Sequence, residues 1–229
     1  MESYRLIYRL ITPLILGTHP ITLDALAYAA LFARSGNESW ARAQLKYYFE
    51  LTDGVAHASA LAFGRTRQHS VIARSVPAMG GLRSTRDFSS AFIKPNGHHG
   101  GYAKVKIEGG PYRFRVDAYR GYWSPYICFD FCGDRERIEA LLATFVIGIG
   151  ARAQIGAGEV DTPQFIPLQH DISLFGSDGE PSRPLPLDMY ENAKGEWFGE
   201  VGEGSCSPPY WRTSDRKVVY PERVRIINL

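Results

Sequence analysis

A glycine-rich segment, IGIGARAQIGAGEV (residues 147–160), is the first place where the sequence points to chemistry. Its four glycines are Gly148, Gly150, Gly156 and Gly158. Glycine adopts backbone angles that other residues avoid, and it lets a backbone approach a ligand closely. Such a loop can hold a dinucleotide, a nucleoside triphosphate or a nucleic-acid backbone, or it can pack against the protein itself.

Two nucleotide-binding motifs do not fit this loop. A dinucleotide fingerprint, G-x-G-x-x-G, follows a strand and opens a helix; here the third glycine is missing, and the loop leads from a predicted helix into a predicted strand. A P-loop needs a lysine and a hydroxyl residue after its last glycine, and neither follows Gly156 or Gly158. The remaining interpretations are a helix–loop–strand turn that presents Arg152 and Gln154 to a ligand, and a tight turn packed on the core.

Basic residues are concentrated between Arg65 and Arg120. This segment holds eleven lysines and arginines against three acidic residues, a local charge of +8, although the net charge of the whole chain is +2. The rest of the chain therefore carries −6. A concentrated basic segment on a nearly neutral protein indicates contact with a polyanion; solvated arginines on a hairpin are the alternative.

Histidine is the side chain that an RNA-cleaving site commonly uses to take the proton of a 2′-hydroxyl group. His69 lies inside the basic segment and is the best candidate for such a base, whereas His57, in the strand-like VAHASAL, is predicted to be a core or sheet-face residue. No Ser/His/Asp order, paired-carboxylate motif or H-E-x-x-H occurs in the sequence. The motifs therefore favour a protein without catalytic residues.

Three cysteines, Cys128, Cys132 and Cys206, do not form a paired framework. They are predicted to be reduced thiols in or near the core. A zinc site would need more ligands at closer spacing, so neither a metal nor a cofactor is expected.

The composition is that of an ordinary soluble globular protein, with 45% hydrophobic and 22% charged residues. No window approaches the roughly 18 consecutive apolar residues that span a bilayer. The first residues lack a basic region followed by a small-residue cleavage site. We expect a cytoplasmic protein without a membrane partner.

Hydrophobic periodicity predicts that strands and helices alternate along the chain. The predicted order is strand (residues 4–16), helix (22–35), strand (53–64), a long insertion with a hairpin, strand (124–133), helix (134–146) and strand (158–168). Without the insertion this is a β-α-β-β-α-β arrangement, the ferredoxin-like pattern. Residues 168–229 are rich in proline, glycine and aromatic residues and predict loops and short strands.

Several of these segments resemble one family of RNA-binding proteins. PITLDALAYAALFA (residues 20–33) resembles the opening helix of the Cas-five-like RAMP subunit of type IV CRISPR effector complexes, which binds the 5′ handle of the guide RNA. DGVAHASALAF (53–63) and CFDFCGDRERIEALLATFVIGIGARAQIGAGEV (128–160) resemble later blocks of that family in the same order. The helix–loop–strand glycine turn is similar to the glycine-rich loop of the RAMP superfamily.

This resemblance implies an α+β fold with a ferredoxin-like (RRM/RAMP) core. The implied domain covers residues 1–167, with an Arg-rich, thumb-like insertion at 65–101. Residues 168–229 would form an irregular C-terminal extension packed on that core.

The resemblance also implies a function: a non-catalytic subunit that grips the 5′ handle of the CRISPR RNA (crRNA) and caps one end of a ribonucleoprotein used in defence against foreign DNA. Its partners would be the crRNA, the backbone and large subunits of the complex and, through the complex, target DNA. Arginine suits this role because it pairs with phosphate through two charge-assisted bonds and stacks on bases. Residues assigned to RNA binding are Arg65, Arg67, Arg74, Arg83, Arg86, Lys94, Gly150, Arg152, Gln154, Gly156 and Gly158, with Met79 and Phe88 as wedges between bases.

Two alternatives remain open at this point. The first is a metal-independent endoribonuclease of the same superfamily that processes repeat RNA with His69 as the base. The second is an interaction module whose basic hairpin meets an acidic protein.

Overall fold

A computed structural model describes residues 1–80, 115–146, 148–211 and 216–229. The chain divides into two compact units, one formed by Met1–Ala73 with Tyr122–Leu229 and the other by Arg74–Gly121. Helices and several sheets occur together, so the predicted α+β class is confirmed. No helix in the described ranges is long and apolar enough to cross a membrane.

Thirteen strands and four helices lie in the described residues. The strands are β1 (Glu2–Arg9), β2 (Leu14–Ile15), β3 (Leu51–Thr52), β4 (Val55–Ala56), β5 (Ala62–Arg65), β6 (Ile72–Gly80), β7 (Arg115–Trp123), β8 (Tyr126–Gly133), β9 (Gln164–Pro167), β10 (Leu185–Pro186), β11 (Val201–Glu203), β12 (Lys217–Val219) and β13 (Arg225–Asn228). The helices are α1 (Leu23–Ser35), α2 (Glu38–Gln44), α3 (Arg135–Phe145) and α4 (Leu187–Lys194), with short 3-10 helices at Leu45–Tyr47 and Ala153–Ile155.

The largest sheet has five strands in the order β13-β5-β8-β1-β9. Strand β8 is antiparallel to both of its neighbours, β5 and β1. Strand β1 is also antiparallel to β9, whereas β13 is parallel to β5. Consequently β1 and β5 are parallel to each other with α1 between them in sequence. Strands β8 and β9 are related in the same way through α3.

Alternation along the two central strands determines which of their side chains face the main core, although every residue of β8 after Tyr126 is buried. Leu6 pairs with Phe129 and Tyr8 with Ile127, and all four side chains are buried in the main core. Helices α1 and α3 contact each other and contribute apolar side chains to the same core. Burial of each large apolar side chain contributes roughly 2 kcal/mol, so the period-2 and helical patterns together select this face.

The ends of α1 and α3 follow from their flanking residues. Gly36 adopts left-handed angles and its N–H donates to the carbonyl of Phe32, which closes α1. The Asp134 side chain accepts a hydrogen bond of 3.1 Å from the backbone of Arg137 and caps the start of α3. Both helix predictions are confirmed.

Residues 53–64, predicted as one strand, form two. A two-residue hairpin turn at Asp53 and Gly54, both with positive φ, connects β3 and β4. The chain then crosses to β5, which joins the large sheet. One hydrophobic run therefore serves two sheets.

Residues 168–229 are more regular than predicted. They contain α4, a three-stranded sheet of order β10-β12-β11, and β13, which joins the large sheet beside β5. Their apolar side chains form a second core that includes Leu185, Tyr190, Val218 and Val219. These elements are two to eight residues long, too short to produce a clear hydrophobic period.

A buried arginine fastens this C-terminal part to the rest of its unit. Arg183 is fully buried and donates to the Asp24 carboxylate at 3.0 Å, the Ala58 carbonyl at 3.0 Å and the Cys206 carbonyl at 2.8 Å. It also contacts the hydroxyl of Tyr210, which donates to Asp24. Burial disfavours the charged guanidinium, but the Asp24 carboxylate outweighs this and raises the pKa of Arg183.

We predict that Arg183→Ala lowers the free energy of unfolding by about 3–5 kcal/mol, because it leaves the Asp24 carboxylate buried without its partner. The control is Arg135→Ala, which removes an exposed ion pair to Glu139 and a contact with the Phe165 ring and should cost about 1 kcal/mol or less. Urea unfolding followed by circular dichroism measures both. Equal costs for the two variants would contradict the assignment.

Candidate nucleic-acid interface

The glycine-rich loop lies against the chain segment that follows β1. The N–H of Ala151 donates to the Ile15 carbonyl at 2.8 Å, and the N–H of Gly158 donates to the Pro13 carbonyl at 2.9 Å. The Thr12 hydroxyl donates to the carbonyl of Gly156 at 2.8 Å. The loop is therefore hydrogen-bonded to its own protein along one side.

Two of the four glycines are required by this packing. Gly150 has a φ of 94°, and a Cβ atom there would lie 2.7 Å from the Ile15 carbonyl oxygen. Gly158 has a φ of 67°, and a Cβ atom there would overlap the Ile149 carbonyl oxygen. Gly156 also has a positive φ, but nothing lies within 4 Å of its Cβ position. At Gly150 and Gly158 the missing side chain therefore lets the loop pack against the protein's own backbone. At Gly156 the loop borders open space.

The tip of the loop presents Arg152 and Gln154, both exposed. Arg152 has a φ of 66° and precedes the short 3-10 helix. The predicted contacts of Arg152, Gln154 and the three loop glycines with RNA stay predictions. The order helix, loop, strand is as predicted.

We predict that Gly158→Ala destabilises the protein by at least about 2 kcal/mol more than Gly156→Ala. Both substitutions place alanine at a positive φ, which costs roughly 1–2 kcal/mol, but only Gly158→Ala adds a clash with backbone. Urea unfolding of the two variants gives the difference. Equal destabilisation would show that the loop is not held against its own chain in this way.

A basic turn follows β5 and comprises residues 65–70. Arg65 ends the strand, and its Nε donates to the Asn228 side chain at 2.6 Å. The backbones of Thr66 and His69 exchange hydrogen bonds of 3.0 and 3.3 Å, which closes the turn. Arg65, Arg67 and His69 are all exposed. A cavity of about 600 Å³ is lined by this turn with Asn228 and Leu229, and no acidic side chain of the described residues contributes to it.

The remaining predicted contacts lie in or near the other unit. Arg74 is exposed in β6, and Met79 lies in the same strand. Strands β6 and β7 are hydrogen-bonded neighbours, so the predicted insertion at 65–101 begins with the basic turn and continues as a strand from Ile72. Arg83, Arg86, Phe88 and Lys94 lie outside the described residues.

His57 makes a set of contacts that the sequence analysis did not find. Its Nε2 lies 2.7 Å from the Thr52 hydroxyl, and its Nδ1 contacts the carboxylate of Asp171. The backbone N–H of Ser173 donates to the same carboxylate at 2.8 Å. Because both ring nitrogens are engaged, His57 connects the β3–β4 hairpin to the start of the C-terminal part. His57 is therefore satisfied, as predicted, but it lies in a bend directly after β4 and is only partly buried, not in a strand or in the core.

These hydrogen bonds affect the ionisation of Asp171. Burial alone would raise the pKa of Asp171, but hydrogen bonds from His57 and Ser173 outweigh burial and lower it. A carboxylate whose pKa falls on folding stabilises the folded state above its unfolded pKa, and that stabilisation is lost as the pH falls through the folded pKa.

We predict that Asp171→Asn lowers the free energy of unfolding by about 1 kcal/mol at pH 7, a modest value because the carboxylate is partly exposed. The difference from the wild type should shrink below about pH 3.9, the ordinary aspartate value. Urea unfolding from pH 7 to pH 3 measures it, with the exposed Asp161→Asn as control. A difference that does not change with pH would contradict this account.

The three cysteines are buried thiols with raised pKa values. Cys128, Cys132 and Cys206 are free and buried, as predicted. Burial raises the pKa of Cys128 to about 12 and that of Cys132 and Cys206 to about 11. Among the residues that the structure describes, no group of three or more His, Cys, Asp or Glu side chains is arranged to hold a metal ion.

A comparison of the sequence with known protein families shows the class of this protein. It is a type IV CRISPR-associated protein. The matching family is described as CRISPR type IV associated protein Csf3, and the match covers residues 2–222, so the chain belongs to this family. No curated protein matches the sequence. The predicted type IV CRISPR association is confirmed.

Proposed function

We propose that the protein is a non-catalytic, crRNA-binding subunit of a type IV CRISPR ribonucleoprotein. It grips the 5′ handle of the guide RNA and caps one end of the complex, beside the backbone and large subunits. Target DNA is reached through the complex. The family supports the CRISPR role, and the features below support RNA binding.

The strand order supports a ferredoxin-like RAMP core. In the large sheet, β5, β8, β1 and β9 are neighbours in that order, and α1 and α3 lie in the two crossovers. This is the arrangement of a β-α-β-β-α-β unit, to which β13 adds a fifth strand. A fold alone does not assign a function, so the proposal depends on the surface of this unit.

The basic turn at residues 65–70 is the observation that carries the proposal. It follows a sheet strand, it is closed by its own hydrogen bonds, and it presents Arg65, Arg67 and His69 to solvent. No aspartate or glutamate of the described residues lines its cavity. Arginine forks bind phosphate oxygens in pairs and stack on unpaired bases. A turn of this kind suits single-stranded RNA.

Histidine chemistry supports a binding role over cleavage. His57 has both ring nitrogens engaged, so it is not placed to take a proton from RNA. His69 is exposed, and its only described ring contact is a long one of 3.4 Å to the Thr66 hydroxyl. Nothing described orients this imidazole as a catalytic base needs.

The test compares two double variants that lose the same charge. Arg65→Ala/Arg67→Ala removes both arginine side chains of the basic turn. Arg34→Ala/Arg42→Ala removes two exposed arginine side chains on α1 and α2. Fluorescence anisotropy with labelled repeat RNA should show an affinity loss of about 10- to 100-fold for the first pair only. The slope of log K against log salt should also fall by about 1.4, because about 0.7 is lost for each phosphate contact with a single strand.

Unchanged affinity and slope in the first pair would overturn the proposal. The same RNA, incubated with wild-type protein in EDTA and separated on a denaturing gel, should remain intact. A discrete product that disappears in His69→Ala would instead assign a metal-independent endoribonuclease.

A further inference from the structure

A second concave surface lies in the same unit as the basic turn and has the opposite chemistry. This acidic cleft has a volume of about 880 Å³ and is formed by five segments, residues 16–21, 60–61, 178–181, 197–202 and 220–227. It adjoins the start of β13, whereas the basic turn adjoins its end. None of the contacts proposed for RNA lies in it.

Carboxylates dominate the charge of the acidic cleft. Asp178, Glu180, Glu200 and Glu222 line it and are all exposed, and none forms an ion pair with a lysine or arginine of the described residues. These four negative charges repel a polyanion. They are suited to a cationic ligand.

The two arginines that line the acidic cleft donate hydrogen bonds to backbone carbonyls. Arg223 donates to the Gly17 carbonyl at 3.0 Å. Arg225 donates to the Ala60 carbonyl at 3.1 Å and to the Ser182 carbonyl at 2.9 Å. These guanidinium groups therefore hold the walls together. They offset two of the four carboxylates, so the lining keeps a net charge of −2.

Aromatic side chains give the cleft a rigid wall. Trp197 packs edge-on against Tyr190, with 4.7 Å between ring centroids, and its Nε1 donates to the Glu200 carbonyl at 3.1 Å. Tyr220 lines the same cleft. A fixed aromatic ring beside carboxylates attracts arginine or lysine side chains through the face of its π-system.

The cleft also borders a sheet edge. Within the described residues β13 has a hydrogen-bonded neighbour, β5, on one side only. The other edge strand of the sheet, β9, is preceded by Pro163 and ends at Pro167, residues that hinder strand addition. Residues 225–227 of β13 line the cleft. An extended segment that lies there can add to this edge.

We propose that the acidic cleft docks an extended segment, rich in arginine or lysine, from another protein of the complex. The carboxylates give charge complementarity, Trp197 and Tyr220 hold the aliphatic stems and cations of the basic side chains, and the edge of β13 supplies backbone hydrogen bonds. The proposal is independent of RNA binding, since it uses a different surface with the opposite charge.

The probe is a fluorescein-labelled peptide of eight residues that alternate arginine and threonine, with a glutamate–threonine peptide as the control probe. Fluorescence anisotropy should show binding of the basic peptide to the full chain and none of the acidic one. Glu180→Gln/Glu222→Gln should weaken binding at least about 10-fold at low salt. The matched control Glu136→Gln/Glu191→Gln, which removes two exposed carboxylates outside the cleft, should leave it unchanged.

Trp197→Ala separates docking from general attraction between charges. It leaves the net charge unchanged and should still weaken peptide binding about 5-fold or more. Equal losses in both glutamate pairs, or no peptide binding at all, would overturn the proposal. So would a loss of affinity for octauridine in Trp197→Ala, because the cleft would then be an RNA site. The effect of Arg65→Ala/Arg67→Ala on RNA is measured separately, so the two proposals fail independently.

Discussion

The fully buried charge of Arg183 is the constraint on which much of this structure depends. A guanidinium without water must have a carboxylate and several carbonyls around it, and here Asp24 comes from the start of α1 while Tyr210 comes from the C-terminal part. Their convergence makes residues 168–229 part of the fold. The same C-terminal part contains β13, which pairs with β5. In this pair the Asn228 side chain accepts a hydrogen bond from Arg65 at the start of the basic turn.

Segregation of charge follows from the same arrangement. The net charge of +2 hides a basic segment of +8, and the structure adds that carboxylates of the C-terminal part gather at the opposite end of β13. One end of this strand is suited to phosphate and the other to basic side chains. A subunit that must hold RNA and neighbouring protein at once gains from this separation, since each ligand is repelled from the surface of the other.

The sequence predicted those parts of the fold that local patterns encode. The alternation of β1 and β8, the positions of α1 and α3 and the position of the glycine loop all follow from neighbouring residues. The single strand predicted over residues 4–16 instead forms two, β1 and β2. The contacts that organise the unit do not, because they join residues far apart in sequence: Asp24 and Arg183 are separated by 159 positions and His57 and Asp171 by 114. The glycine loop illustrates the difference. Its turn was predictable from the glycines, but its hydrogen bonds to Pro13 and Ile15 were not.

Photo-crosslinking tests the central claim most directly. A type IV complex is assembled with crRNA that carries 4-thiouridine in its 5′ handle, irradiated and digested, and crosslinked peptides are identified by mass spectrometry. The account predicts that handle crosslinks fall on the peptide that contains residues 65–70 and are absent from the acidic cleft at residues 197–202. Crosslinks confined to the cleft, or to the exposed face of α1 and α2, would contradict it.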